Sequence, residues 1–259
     1  MSQKLSYFLM DPTRNMTILV ETPVPIESQP ETARKLMALE PEAEQVGFLS
    51  TSDHCDIALR MAGGEFCGNA AMSAALIHAL GSPRESDRIT VEVSGSDAPV
   101  TVTLSSMCKH SARGTLKMMK PVSIELRQLS ETAVYPVVFF EGIAHVILED
   151  TSTKANAEVL ARQWCQALDQ EAIGLMYYDH THSSLTPLVY VKQADTMCWE
   201  NACGSGSSAV GAYLAKKTGQ PVSVSLTQPG GILEVSATPE GTILMSGKVS
   251  LVYQKEVEL

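Results

Sequence analysis

The chain has 259 residues, 44% of them hydrophobic and 19% charged, with a formal charge of -10. That is enough for one large domain or two of about 130 residues each. Its basic residues form no dense run, which argues against nucleic-acid or anionic-membrane partners, since both want a positive stripe. The N-terminus, MSQKLSYFLMDPTRN, lacks the plan of a secretory leader, and no run approaches the ~20 apolar residues of a membrane helix. A soluble, cytoplasmic protein is expected. Cysteines at 55, 67, 108, 165, 198 and 203 show neither disulfide spacing nor a CxxC pair, so free thiols and no metal site are expected.

In chain order, residues 4–10 and 16–21 (MTILVE) read as strands around the turn DPTRN, and 31–40 (ETARKLMALE) as an amphipathic helix. EQVGFLS and CDIALRMA read as strands, the second broken by Gly63 and Gly64. Ala70 to Leu80 reads as a helix with Gly81 at C′, followed by strands at 89–94, 99–104 and 114–119. The second half repeats the plan. Strands lie around 136–148, an amphipathic helix at 155–168, and strands in AIGLMYYD and TPLVYVKQA. A helix from Ser207 to Lys217 closes at Gly219, and VSVSLTQPGG, ILEVSAT and TILMSGKVSLVY finish with strands.

The two halves share one feature, a cysteine followed by glycine at the mouth of a small-residue helix: CGNAAMSAAL at Cys67 and CGSGSSAVGAYL at Cys203. An internal duplication follows. One α+β half spans 1–125, with the strand near 248–259 able to return to it, and the other spans 126–247. A helix N-terminus offers unpaired N–H groups and the positive end of the dipole. It can lower a thiol's pKa and hold a carboxylate. Two such thiols suit inversion at the Cα of an amino acid, one removing a proton from one face and the other protonating the opposite face. Helix ends that stabilise the carbanion-like charge make a cofactor unnecessary. GSGSSA at 204–209 fits a dinucleotide fingerprint, but no acidic residue closes the next strand. A cysteine hydrolase would leave one Cys–Gly motif unexplained, and a thiol–disulfide enzyme would want a CxxC.

RNMTILV (14–20), EQVGF (44–48), GGEFCGNAAMS (63–73), FEGIAHVI (140–147), WENACGSGSSAVG (199–211), QPGG (228–231) and SGKV (246–249) together resemble the diaminopimelate epimerase superfamily of cofactor-independent epimerases and racemases. Within it the nearest likeness is to the histidine racemases of opine-type metallophore pathways. The resemblance implies an α+β fold of two pseudo-symmetric domains, each a central helix wrapped by mostly antiparallel strands, and often a homodimer. By position it implies Cys67 and Cys203 as the base and acid pair. Gly68 and Asn69, with Gly204 and Ser205, would hold the α-carboxylate, and Asn15, His145 and Glu200 would line the substrate. Ala71, Met72 and Ile143 stand where diaminopimelate epimerases carry the polar groups that read the far end of their substrate. A glutamate four before the histidine, Glu141, and WEN before the second cysteine match the histidine racemases instead. Histidine is therefore the expected substrate. A diaminopimelate or other amino-acid epimerase, a non-racemising isomerase and an amino-acid-binding protein stay open. Trp199 could stack on an aromatic ring or simply pack, and Arg60 could face the site or the surface.

Overall fold

Short runs rich in Val, Ile, Thr and Tyr, separated by Gly, Pro and Asp, favour strands over helices, and the protein is a mixed, strand-rich fold with few helices. The structure, a computed structural model, describes residues 4–82, 86–149, 154–193 and 195–259. In chain order the first elements are β1 (Lys4–Pro12), β2 (Thr17–Val20), α1 (Gln29–Leu39), β3 (Gln45–Ser50), β4 (Ile57–Met61), α2 (Gly68–Gly81), β5 (Arg88–Val93), β6 (Val100–Cys108) and β7 (Ser111–Lys117). Next come β8 (Ser123–Gln128), β9 (Val134–Phe140), β10 (Ile143–Glu149), α3 (Ala157–Ala167), β11 (Ala172–Asp179), β12 (Ser184–Val191) and β13 (Thr196–Trp199). The chain ends with α4 (Gly204–Thr218), β14 (Val222–Gln228), β15 (Gly231–Ala237) and β16 (Ile243–Glu258). Contacts divide it into two units, one holding the chain up to Lys117 with Ser246–Leu259, the other Met118–Met245.

In the first unit the strands run β1-β2-β3-β4-β5-β6-β7-β16, and β16 also pairs antiparallel with β1, so the sheet closes on itself. Inside lies α2, packed on β1, β2 and β4 to β7. Every residue from Gly68 to Leu76 is buried, which explains why this helix has no polar face. Only small residues let strands approach so closely: a Cβ on Gly114 of β7 would lie 2.8 Å from the Met72 side chain. Helix α1 covers the outside of β3, where Leu36 joins Leu5, Tyr7, Ile18 and Phe48 in a second core.

The second unit orders its strands β15-β14-β12-β11-β10-β9-β8, with β13 on the flank of β12. Helix α4 packs on β9, β10, β11, β14 and β15, while α3 packs on β11 and β12. Alternation along β10 sends Ala144, Val146 and Leu148 into the core beside Trp164 and Cys165 of α3. It thereby sends His145 and Ile147 to the α4 face.

Two expectations change. Helix α2 runs through Gly81 and is capped by Ser82 in extended conformation, whereas α4 ends at Gly219 in the left-handed region, φ 67°. The segment between the halves contains β8, paired with β9 from Ser123↔Phe139 to Gln128↔Val134. Its charged, largely exposed side chains hide the strand period. Among the described residues no helix is long and apolar enough to cross a membrane.

Candidate active site

In the first unit, the loop from β4 to α2 is held from the side by Ser94 and Gly95. The Ser94 hydroxyl donates to the Glu65 carbonyl at 2.8 Å and accepts from the Met61 amide at 3.0 Å. Gly95 has φ 68°, and a Cβ there would fall 2.3 Å from the Phe66 nitrogen. So supported, Cys67 becomes the N-cap of α2, with φ −132° and ψ 110°. Its Sγ accepts from the Ala70 amide at 3.4 Å, and its thiol donates to Gln45 Oε1 at 3.3 Å.

Asn15 enters from the turn after β1, where Thr13 and Arg14 adopt positive φ. Its Oδ1 accepts from Asn69 Nδ2 at 2.9 Å and from Gln45 Nε2 at 2.8 Å, and its own Nδ2 donates to Glu44. The predicted residues Asn15, Cys67, Gly68 and Asn69 thus come together. Gln45 and Glu44 were not singled out from the sequence as site residues. EQVGF reads there as strand, and nothing local marks Gln45 as the partner of a thiol 22 residues away.

In the second unit Cys203 is the N-cap of α4, φ −102° and ψ 110°. Its Sγ accepts from the Gly206 amide at 3.3 Å and lies 3.5 Å from Ser205 Oγ. The Gln228 carboxamide fixes the backbone beneath. Its oxygen accepts from the Cys203 amide at 2.8 Å, and its nitrogen donates to Ser207 Oγ at 2.9 Å, which donates to the Cys203 carbonyl at 2.7 Å. QPGG contained this residue, but the sequence assigned it no role. Packing at Gly206 is close: a Cβ there would meet Met176 Sδ at 2.2 Å and Cys203 Sγ at 3.1 Å.

The expectation that a helix mouth lowers the thiol's pKa fails at Cys203. Burial pushes the thiol well above its ordinary value, and the charge and hydrogen bond of Glu200 push the same way. Ser205 and the Gly206 amide pull it down but do not prevail. Desolvation penalises the charged form regardless of which helix end it sits on. Cys203 is therefore a thiol in this structure, with Glu200 hydrogen-bonded at its side.

His145 is fully buried on the α4 face, paired in register with Gly174 of β11. A Cβ at Gly174 would lie 2.2 Å from its Nδ1, and Phe140 meets the ring edge-on at 5.9 Å. Neither ring nitrogen has a hydrogen-bond partner. Burial lowers the imidazole pKa to about 3, so the ring is neutral. Met176 joins this group to the start of α4, being in reach of Cβ positions at both Gly174 and Gly206.

The remaining candidates fall elsewhere. Trp199 lies against Tyr177, ring centroids 5.8 Å apart, with the Lys154 ammonium 5.7 Å from its own ring centre. Its strand neighbour Leu188 and Tyr177 both belong to the α3 core, so Trp199 packs on that face. Arg60 is held by Gln29 and the Met61 carbonyl, and Glu141 is exposed in the turn after β9. Among the described residues no cluster of His, Cys, Asp or Glu is placed to hold a metal ion.

The family profile described as "Histidine racemase CntK N-terminal domain" matches residues 4–256. A histidine racemase of Fusobacterium nucleatum subsp. nucleatum is 30% identical over 264 residues, covering 98% of this chain and 97% of the relative. Among solved structures, a hydroxyproline epimerase from Agrobacterium vitis matches with TM-score 0.72 at 12% identity, covering 100% of this chain and 92% of that one. A PhzF-family phenazine biosynthesis protein from Enterococcus faecalis matches with TM-score 0.68 at 15% identity, covering 99% and 100%. At such identities the structural matches speak for the fold, which is that of the PhzF and proline-racemase-like isomerases. Through the profile and the Fusobacterium relative, each spanning nearly its whole length, the chain belongs to the histidine racemase family.

Proposed function

We propose that this protein is a cofactor-independent histidine racemase that inverts Cα with two cysteines. The observation that carries the proposal is the repeated placement of a thiol as N-cap: Cys67 on α2 and Cys203 on α4, each sulfur accepting from an amide of the first helical turn. The amides at Gly68 and Asn69, and at Gly204 and Ser205, would receive the substrate carboxylate at the positive helix ends. One sulfur, as thiolate, takes the Cα proton. The electron pair left on Cα spreads into the carboxylate, where the helix-end N–H groups stabilise it. The other thiol then delivers its proton to the opposite face, so one proton leaves and one arrives. Glu200 would take the Cys203 proton when that sulfur must act as base, and Asn15 and neutral His145 would line the substrate. Histidine as the substrate is supported by the description of the relatives. On this reading the chain is a duplication of two halves, 1–125 joined by the closing strand near 248–259 and 126–247, and the enzyme is a homodimer.

The test is proton NMR in D₂O with reduced enzyme and L-histidine. Loss of the Cα–H signal together with formation of D-histidine is expected, and Cys67→Ala or Cys203→Ala should abolish both at saturating substrate. Near-normal turnover by either variant would sink the two-cysteine mechanism. Exchange with another amino acid alone would keep the mechanism and discard histidine.

A further inference from the structure

We propose that a directional chain of side-chain amides, running from Glu44 through Asn15 to Gln45, holds Cys67 as the protonated thiol. Gln45 is then a positioning residue that gives this cysteine the acid's part in the resting enzyme. The inference rests on the proposed function only in treating Cys67 as a proton carrier.

Polarity is set at the far end of the chain. A carboxylate accepts and cannot donate, so the Asn15 nitrogen must face Glu44. Asn15 Oδ1 then points the other way and accepts from both Asn69 and Gln45. The second Gln45 proton goes to Thr17 Oγ1 at 2.8 Å, and the Thr17 hydroxyl proton is itself committed to the Asn15 carbonyl at 2.9 Å. With both N–H groups engaged, Gln45 can present only its oxygen to Cys67. A carbonyl oxygen accepts from S–H and repels S⁻, so each link favours the thiol. Turning the Gln45 amide over would set oxygen against oxygen at Asn15.

An opposing influence at the sulfur is the Ala70 N–H, which favours the thiolate. The charged groups near this end of α2 are Glu44, Glu65 in the preceding loop, and Arg60 of β4, which Gln29 and the Met61 carbonyl hold. Arg88 and Glu92 of β5 and Arg113 of β7 stand on the strand faces turned away from the helix, since Ile89, Val91 and Gly114 face it. His78 sits in the last helical turn.

The experiment is peptide-resolved alkylation of the reduced, substrate-free enzyme across pH, reading the midpoint for Cys67, with protection of Cys165 in the α3 core reporting that each variant is folded. Gln45→Ala should lower the midpoint by about half to one pH unit, the size of one neutral hydrogen bond. Below the midpoint, labelling then becomes about three- to tenfold faster. Gln45→Glu should move it upward, an opposite sign that general loosening cannot produce. Glu44→Gln should lower the midpoint in the wild-type background and lower it less in Gln45→Ala, where only the direct effect of its charge remains and the part relayed through the amide is gone. An unchanged midpoint in Gln45→Ala, the same direction of shift in both Gln45 variants, or an equal Glu44→Gln effect in both backgrounds would overturn the proposal. An active Cys67→Ala enzyme would instead refute the two-cysteine function while leaving the labelling result standing.

Discussion

Replacing His145 by leucine should make the protein more stable, and increasingly so toward acid. In the native state the imidazole pKa is about 3 against an ordinary 6.5, because the ring is fully buried. Between those values the unfolded chain binds a proton that the native state refuses, so native stability falls as pH drops below 6.5 and goes on falling until about 3. Each pH unit in that window costs about 1.4 kcal/mol, which amounts to about 2 kcal/mol near pH 5. A second term is independent of pH: both ring nitrogens are without partners, and leaving such atoms unpaired costs on the order of 1–3 kcal/mol. Loss of the edge contact with Phe140 offsets part of that gain. Urea unfolding of both proteins near pH 8 and near pH 5 separates the two terms, given unchanged m-values. The variant should be ahead at the higher pH, and its lead should widen by about 2 kcal/mol at the lower. Parallel pH dependences would show that His145 takes up its proton in the folded protein and refute the reasoning. Racemisation should fall in the same variant, since on the proposed function this imidazole would line the substrate.

Gly206→Ala would press its Cβ against Met176 Sδ, which can swing aside, and against Cys203 Sγ, which must then move. A stability loss of about 1–3 kcal/mol with at least a tenfold drop in kcat, read by urea unfolding and by D-histidine formation, is expected. Gly95→Ala should be the more damaging to the fold, because its Cβ would strike the Phe66 backbone at a positive φ and nothing flexible can give way; denaturant unfolding should rank it below Gly206→Ala. Glu40 accepts from Tyr7, Tyr253 and Lys255, tying the end of α1 to β1 and β16. Burial raises its pKa, but these hydrogen bonds and the Lys255 charge prevail and hold it below the ordinary carboxylate value. Its stabilising effect is thus complete above the unfolded-state value and lost as pH falls through the folded one. Glu40→Gln should cost about 1 kcal/mol near neutrality, and less in acid, in the same unfolding assay.

The helix-start positions of both cysteines were legible because their signal is local: a thiol, a glycine and a run of small residues can be read without knowing what packs around them. Helices α2 and α4 were legible for the same reason. Gln45 and Gln228 were not. Each meets a cysteine only through strand register, and a glutamine in a strand otherwise looks like an ordinary polar position. Strand β8 escaped notice because Glu125, Arg127 and Gln128 mask its period. At Cys203 the influence of the helix mouth is reversed. Spacing reveals the helix end, which favours thiolate, and the nearby Glu200, but not the complete burial that does most to outweigh the helix end.

That reversal bears on how two similar helix starts can carry out opposite halves of one proton exchange. A two-base racemase needs one sulfur charged and the other protonated when the Cα proton is transferred. Two identical N-caps would give both thiols the same affinity for a proton. The surroundings of the two differ: a neutral carboxamide, Gln45, accepts from Cys67, while a carboxylate, Glu200, stands beside Cys203. Gln45 can favour a proton on Cys67 but cannot receive it. Glu200 both raises the affinity of Cys203 and offers a place for its proton to go. On the proposed mechanism, the readily reversible charge change therefore belongs to the Cys203 side, and the enantiomer presenting its Cα–H to that sulfur needs no prior rearrangement at Cys67. Single-turnover exchange from the two enantiomers should accordingly differ in pH dependence, and Glu200→Gln should slow the direction that begins at Cys203 more than the other.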